Sequence, residues 1–140
     1  PFYLREGGRL SPEKPWDEAP DVYMYDPEDP VPTRGGATLM TPEYPAGPYD
    51  QRALESRPDV LVYQTDVLEQ DLTLAGPIQV DLRVSTSGTD CDWIVKLVDV
   101  YPDEYPDPNP NPTGIHMGGY QQLVRGDVMR GKFRNSFENL

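Results

Sequence analysis

From Ser11 to Pro48 proline recurs so often that no helix can be built there. Its densest part reads Tyr25-Asp26-Pro27-Glu28-Asp29-Pro30-Val31-Pro32-Thr33-Arg34-Gly35-Gly36. Each proline fixes its own φ, removes a donor and pushes its predecessor out of the helical region. The stretch is therefore extended or turned, and it is too long for a passive connector. Tyr23, Tyr25, Tyr44 and Tyr49 predict an ordered loop laid across a surface, where a ring with a polar tip suits a half-wet contact. Asp26 and Asp29 read as turn formers that cap nearby backbone N–H groups. A calcium or substrate-amine site is the competing reading, but no EF-hand or repeat-type spacing supports it.

The residues after Pro58 are rich in β-formers. Asp59–Thr65 predicts a strand, and Leu72 and Leu74 alternate with Asp71 and Thr73. In the clearest case Ile78, Val80, Leu82 and Val84 point one way while Gln79, Asp81, Arg83 and Ser85 point the other, a strand with one dry face. Trp93–Tyr101 is apolar on both faces apart from Lys96 and Asp99, which predicts a central strand. Asp99 shares a face with Trp93, Val95 and Leu97, so it is expected to be a buried structural carboxylate with a partner. Tyr120–Val124 and Val128–Phe133 predict a hairpin around Arg125-Gly126-Asp127, Phe2–Arg5 a short strand stopped by Gly7-Gly8, and Asp50–Ser56 at most one helical turn. Pro106–Pro112 predicts a polyproline-type excursion.

Short strands between turn clusters define an all-β class, a jelly-roll-like β-sandwich over residues 1–140. Within it, 11–58 is a proline-rich interface loop region and 59–137 holds the main strands. Six or seven strands are visible against roughly eight in a jelly roll, so the sandwich is expected to need sequence after residue 140. A first residue that is proline, with no leader behind it, is likewise expected of a piece of a longer chain.

A net charge of −12 with no basic stripe argues against a nucleic-acid partner, and no apolar run reaches membrane-span length. Cys91, the single cysteine, cannot form an internal disulfide and reads as a small turn residue; the compartment stays open. No serine lies in a G-x-S-x-G elbow, and the one histidine, His116, has no partners at a metal-ligand spacing. The expectation is no catalytic residue, no metal and no cofactor within this chain. Nine tyrosines and two tryptophans also admit a free-standing carbohydrate-binding module, with a domain interface the reading preferred.

Three stretches carry a family resemblance. YDPEDPVPTRGG (Tyr25–Gly36) resembles the Y-D-P-x-D-P-x-P-T-x-G-G signature of the C-terminal domain of CocE/NonD hydrolases, related to Xaa-Pro dipeptidyl-peptidases. Asp50-Gln51-Arg52 with Arg57-Pro58-Asp59-Val60-Leu61-Val62-Tyr63 resembles the D-Q-R and R-x-D-V-L-x-Y run. Leu97–Asp103 is similar to L-x-D-V-x-P-D. The section from Tyr105 to Phe137, with Glu104 where the cocaine-esterase-like branch tends to have glycine, looks like the α-amino-acid ester hydrolase and glutaryl-7-aminocephalosporanic-acid acylase branch. The resemblance implies a non-catalytic domain of a serine hydrolase whose triad sits in a separate α/β-hydrolase domain with a helical cap. It implies an ester or amide of an α-amino acid as the small substrate. An Xaa-Pro dipeptidyl-peptidase or a cocaine-esterase-like esterase is the alternative within the family, and homo-oligomers are common in such enzymes. Leu39 and Met40 would form a wall of the substrate pocket. Tyr25, Asp26, Asp29, Gly35 and Gly36 would belong to the domain-interface loop.

Overall fold

The computed structural model describes residues 1–38, 41–43 and 45–138. The chain divides into two compact units: Pro1–Val31 with Glu55–Arg83, and Pro32–Leu54 with Val84–Leu140. Strands and turns dominate both, and the domain is all-β. The one α-helix among the described residues is α1 (Arg52–Glu55), the single turn expected between Asp50 and Ser56.

The first unit opens with β1 (Tyr3–Arg5) and β2 (Arg9–Ser11), an antiparallel hairpin in which Leu4 opposes Leu10. Gly7 and Gly8 make the turn with φ of 73° and 74°, a conformation that L side chains resist. Gly8 has a second reason to be glycine: a Cβ there would lie 2.9 Å from the Val62 carbonyl oxygen. That closeness lets Gln64 bridge to the hairpin, its N–H donating to the Gly8 carbonyl and its carbonyl accepting from the Leu10 N–H, both at 2.8 Å.

Here the expected strands fall short. Asp59–Thr65 contributes only the bridge at Gln64, and neither Leu72–Leu74 nor Ile78–Ser85 joins a ladder. Alternation specifies which face a strand would bury, but the ladder needs a neighbouring edge to supply hydrogen bonds. Ile78, Val80 and Leu82 are accordingly exposed.

The second unit is built on β3 (Asp92–Val100) and β4 (Gln121–Arg130), paired antiparallel from Asp92–Arg130 to Val100–Gln121. The hairpin expected around Arg125-Gly126-Asp127 does not form. Gly126 has no left-handed φ and stays in a continuous strand opposite Lys96, whose Cγ lies 3.5 Å from where a Cβ would be. β3 is therefore paired with β4 alone among the described strands, instead of lying centrally. The ladder slips once, between Leu97 and Val98, leaving Val124 as an extra residue. Strict alternation would put Leu123 and Gly126 on opposite faces; the bulge brings Leu123 opposite Val98, on the Lys96 face, where it is buried. Asp99 is exposed, contrary to expectation: it lies at the end of β3, where the ladder gives way to the loop after Val100. A short 3-10 turn, Gly131–Phe133, follows β4.

Candidate functional site

In the first unit, the segment 16–31 runs as an irregular strap with three tethers. Glu18 accepts from the Arg5 Nε at 2.6 Å and from the Glu6 N–H at 2.9 Å. These donors, the Glu6 N–H foremost and then Arg5, hold its carboxyl below the usual range. Asp21 accepts from the Tyr63 hydroxyl at 2.5 Å. Burial, and then this carboxylate, push the Tyr63 phenol up to about 12. Asp29 is gripped by Arg57, whose Nη2 donates to its carbonyl at 2.6 Å and whose Nη1 lies 3.3 Å from its carboxylate. Arg57 is itself aimed by a bidentate pair with Asp59 at 2.8 and 2.9 Å. The hydrogen bonds that Arg57 donates to Asp59, and then to Asp29, raise the guanidinium further, and Arg57 in turn depresses Asp59.

Asp26 acts as a turn former: its Oδ1 accepts from the Glu28 N–H at 2.9 Å, and its carbonyl from the Asp29 N–H at 3.2 Å. What the tethers hold up is apolar. Trp16, Val22 and Met24 are 89%, 85% and 88% exposed, and Tyr25 is exposed as well. The strap is thus ordered, but it presents its rings and aliphatic groups outward within its own unit.

In the second unit the Gly35-Gly36 pair closes a neck. Gly36 and Gly47 exchange backbone hydrogen bonds at 2.7 and 3.1 Å. Both Gly35 and Gly36 have left-handed φ, and a Cβ on Gly35 would collide with the Gly47 carbonyl oxygen and the Tyr49 ring. A Cβ on Gly36 would lie 3.4 Å from the Leu123 Cδ2. Leu39 and Met40, expected on a pocket wall, lie outside the described residues, as does Tyr44. The described residues around the neck leave an open groove of about 500 Å³, lined by Pro32, Arg34, Glu43, Tyr49 and Leu54 among others.

Beside the neck, Asp50-Gln51-Arg52 forms a hub. Burial raises the Asp50 carboxyl, but donors outweigh it and hold it below the usual range: the Arg52 side chain and N–H, and the Gln121 N–H. Arg52 also donates to the Gly118 carbonyl at 2.9 Å and the His116 carbonyl at 3.2 Å, and stacks over the Tyr120 ring at 5.9 Å. Gln51, only 2% exposed, donates to the Arg34 and Tyr49 carbonyls and accepts from the Lys96 Nζ at 2.9 Å.

His116 pairs through Nδ1 with Asp107 at 3.2 Å in an exposed loop, and the Met117 N–H first, then His116, depress that carboxylate. This is an imidazole with an orienting carboxylate, and no serine of the 140 residues lies in a G-x-S-x-G elbow. Among the described residues no group of three or more His, Cys, Asp or Glu is placed to hold a metal. Among the described residues no helix is long and apolar enough to cross a membrane. Sequence reasoning had assigned no role to Arg52, Arg57 or Gln51. The two arginines were signalled by spacing: each lies two residues from the aspartate that aims it.

The described residues form an all-β scaffold with a tethered strap in one unit and a glycine neck in the other. The family model for the X-Pro dipeptidyl-peptidase C-terminal non-catalytic domain matches residues 1–138, and this chain belongs to that family. The chain is 44% identical over 112 residues to the cocaine esterase of Rhodococcus sp. (strain MB1 Bresler), covering 74% of this chain and 19% of the esterase. It also resembles the crystal structure of an aminopeptidase from a marine sediment archaeon, Thaumarchaeota archaeon. The TM-score there is 0.68 at 39% identity, over 97% of this chain and 22% of that one. The chain thus spans about a fifth of the length of these two relatives.

Proposed function

We propose that this chain is the accessory domain of a serine hydrolase that acts on esters or amides of α-amino acids. The reaction would run through an acyl-enzyme on a serine in a separate α/β-hydrolase domain, with oxyanion stabilisation supplied there. The relatives are a protein named as a cocaine esterase and one named as an aminopeptidase, names that span ester and amide cleavage. The observation that carries the structural half of this reading is the strap. Three tethers fix a segment whose Trp16, Val22 and Met24 are almost wholly exposed, and exposed apolar groups on an ordered support suit docking against another domain. The groove beside Gly35-Gly36 would then form part of the wall of the acyl or leaving-group pocket, with Leu39 and Met40 contributing to it.

The test uses the full-length polypeptide that contains this chain. It is assayed on an α-amino-acid ester, an X-Pro anilide and a benzoyl ester, with and without a serine-directed fluorophosphonate. Fastest turnover of the amino-acid ester, abolished by the reagent, is the expected result; no turnover of any of the three overturns the reading. Met24→Asp should lower activity by weakening docking, and unchanged activity in that variant removes the strap from the interface.

A further inference from the structure

On one face of the β3–β4 ladder the opposed pairs run Val98–Leu123, Lys96–Gly126 and Ile94–Val128. Leu123 at one end is buried, with Gly36 against it. The other end is bare, with Ile94 and Val128 62% and 56% exposed. Lys96 stands on the border. Its stem passes over Gly126, and its partly buried ammonium donates to the Gln51 Oε1. Gln51 is a neutral acceptor whose amide nitrogen is already committed to two carbonyls. An ammonium carries three donors. Yet the ion pairs of the described residues all belong to arginines or His116, and none reaches Lys96. Burial meanwhile depresses the lysine pKa. A chain with 24 acidic residues thus leaves its most enclosed lysine without a carboxylate beside an uncovered apolar ledge.

We infer that the Ile94–Lys96–Val128 face is a docking surface for a segment of the same polypeptide outside residues 1–140, one that brings apolar contact and a carboxylate to Lys96. Covering the ledge with an apolar group alone would further desolvate a charge that has only one neutral acceptor, which is costly. A carboxylate from the incoming segment offsets that cost and fixes its register. A second copy of this chain fits less well. A self-complementary contact centred here would oppose Lys96 to Lys96, and the net charge of −12 sets copies against each other. The inference rests on the proposal that the chain is one part of a longer hydrolase, and it concerns a surface that proposal does not use.

Carbodiimide treatment of the full-length protein tests it, because this reagent joins an amine to a carboxylate only when the two already touch. Peptide mapping is expected to show Lys96 joined to an Asp or Glu outside residues 1–140. Ile94→Cys and Val128→Cys are expected to resist maleimide until the protein is denatured. A Lys96 cross-link to an acid within 1–140 or to a second molecule overturns the inference, as does the absence of any Lys96 cross-link. Rapid native labelling at both introduced cysteines overturns it too. Neither readout depends on turnover, so a protein that docks here but hydrolyses nothing separates this inference from the proposed function.

Discussion

Arg52 donates to the carbonyl of Gly118, 66 residues further along the chain, at 2.9 Å while the Asp50 carboxylate holds the same guanidinium at 2.7 Å. One planar fork thus fastens the loop between β3 and β4 to the turn before α1. Arg52→Ala should release that loop, seen as faster hydrogen exchange at the Gly119 and Tyr120 amides with β3 itself unaffected. Arg52→Lys should fail to restore protection, because a single ammonium cannot span Asp50 and two carbonyls at once. Full rescue by lysine would show that charge alone, without the fork, suffices.

The two glycines of the neck should differ in their sensitivity. Gly36→Ala forces a side chain into a left-handed φ and should cost about 1–2 kcal/mol. Gly35→Ala adds a collision with the Gly47 carbonyl and the Tyr49 ring, so it should cost more. Denaturant unfolding of the protein carrying each change measures the order. Equal losses would mean the neck can open to admit a methyl group.

Leu123 is one of the few buried apolar side chains, and it owes its position to the bulge. Leu123→Ala should cost about 2–5 kcal/mol by leaving a cavity. Deleting Val124 should cost less, because it removes only the extra residue and leaves Leu123 two positions from Gly126, still on the Lys96 face opposite Val98. Unfolding midpoints compare the two. A deletion as damaging as Leu123→Ala would show that the bulge itself, and not only the face Leu123 occupies, is needed by the strand.

Stability should fall at both extremes of pH for reasons tied to named groups. The folded-state pKa of Asp50 is depressed, so its contribution is present above the unfolded value of about 3.9 and is lost as pH falls through the lower folded value. Asp50→Asn should weaken the protein at neutral pH and flatten this acid limb. Tyr63 works in the opposite sense. Its folded-state value is raised to about 12, so its contribution is complete below the unfolded value of about 10 and fades as pH rises through about 12. Tyr63→Phe should remove that alkaline loss. Urea unfolding across the pH range checks both limbs.

Much of the fold was legible where the information is local. Proline density excluded helix from the strap, Gly7-Gly8 marked the first turn, and the β-rich run from Trp93 foretold β3. What the chain did not announce depends on partners distant in sequence. Ile78–Ser85 has a flawless alternation and no ladder, because an amphipathic pattern cannot create the edge that must pair with it. Gly126 looked like a turn residue, whereas its lack of a side chain serves the stem of Lys96 across the ladder. Asp99 was expected inside from its face-sharing neighbours, but its place at the end of β3 exposes it. The candidate site was legible only in outline: Asp26, Asp29, Gly35 and Gly36 were singled out, while the arginines that position their surroundings were visible only as D-x-R and R-x-D spacings.

The paired hydrogen bonds between Gly36 and Gly47 isolate residues 37–46 topologically. Whatever is written into that loop enters and leaves through the same closed gate, so a longer or shorter version would transmit no shift in phase to the strands on either side. Descendants of such a scaffold can therefore revise the loop freely and inherit the ladder intact, which separates the evolution of what the domain touches from the evolution of how it folds.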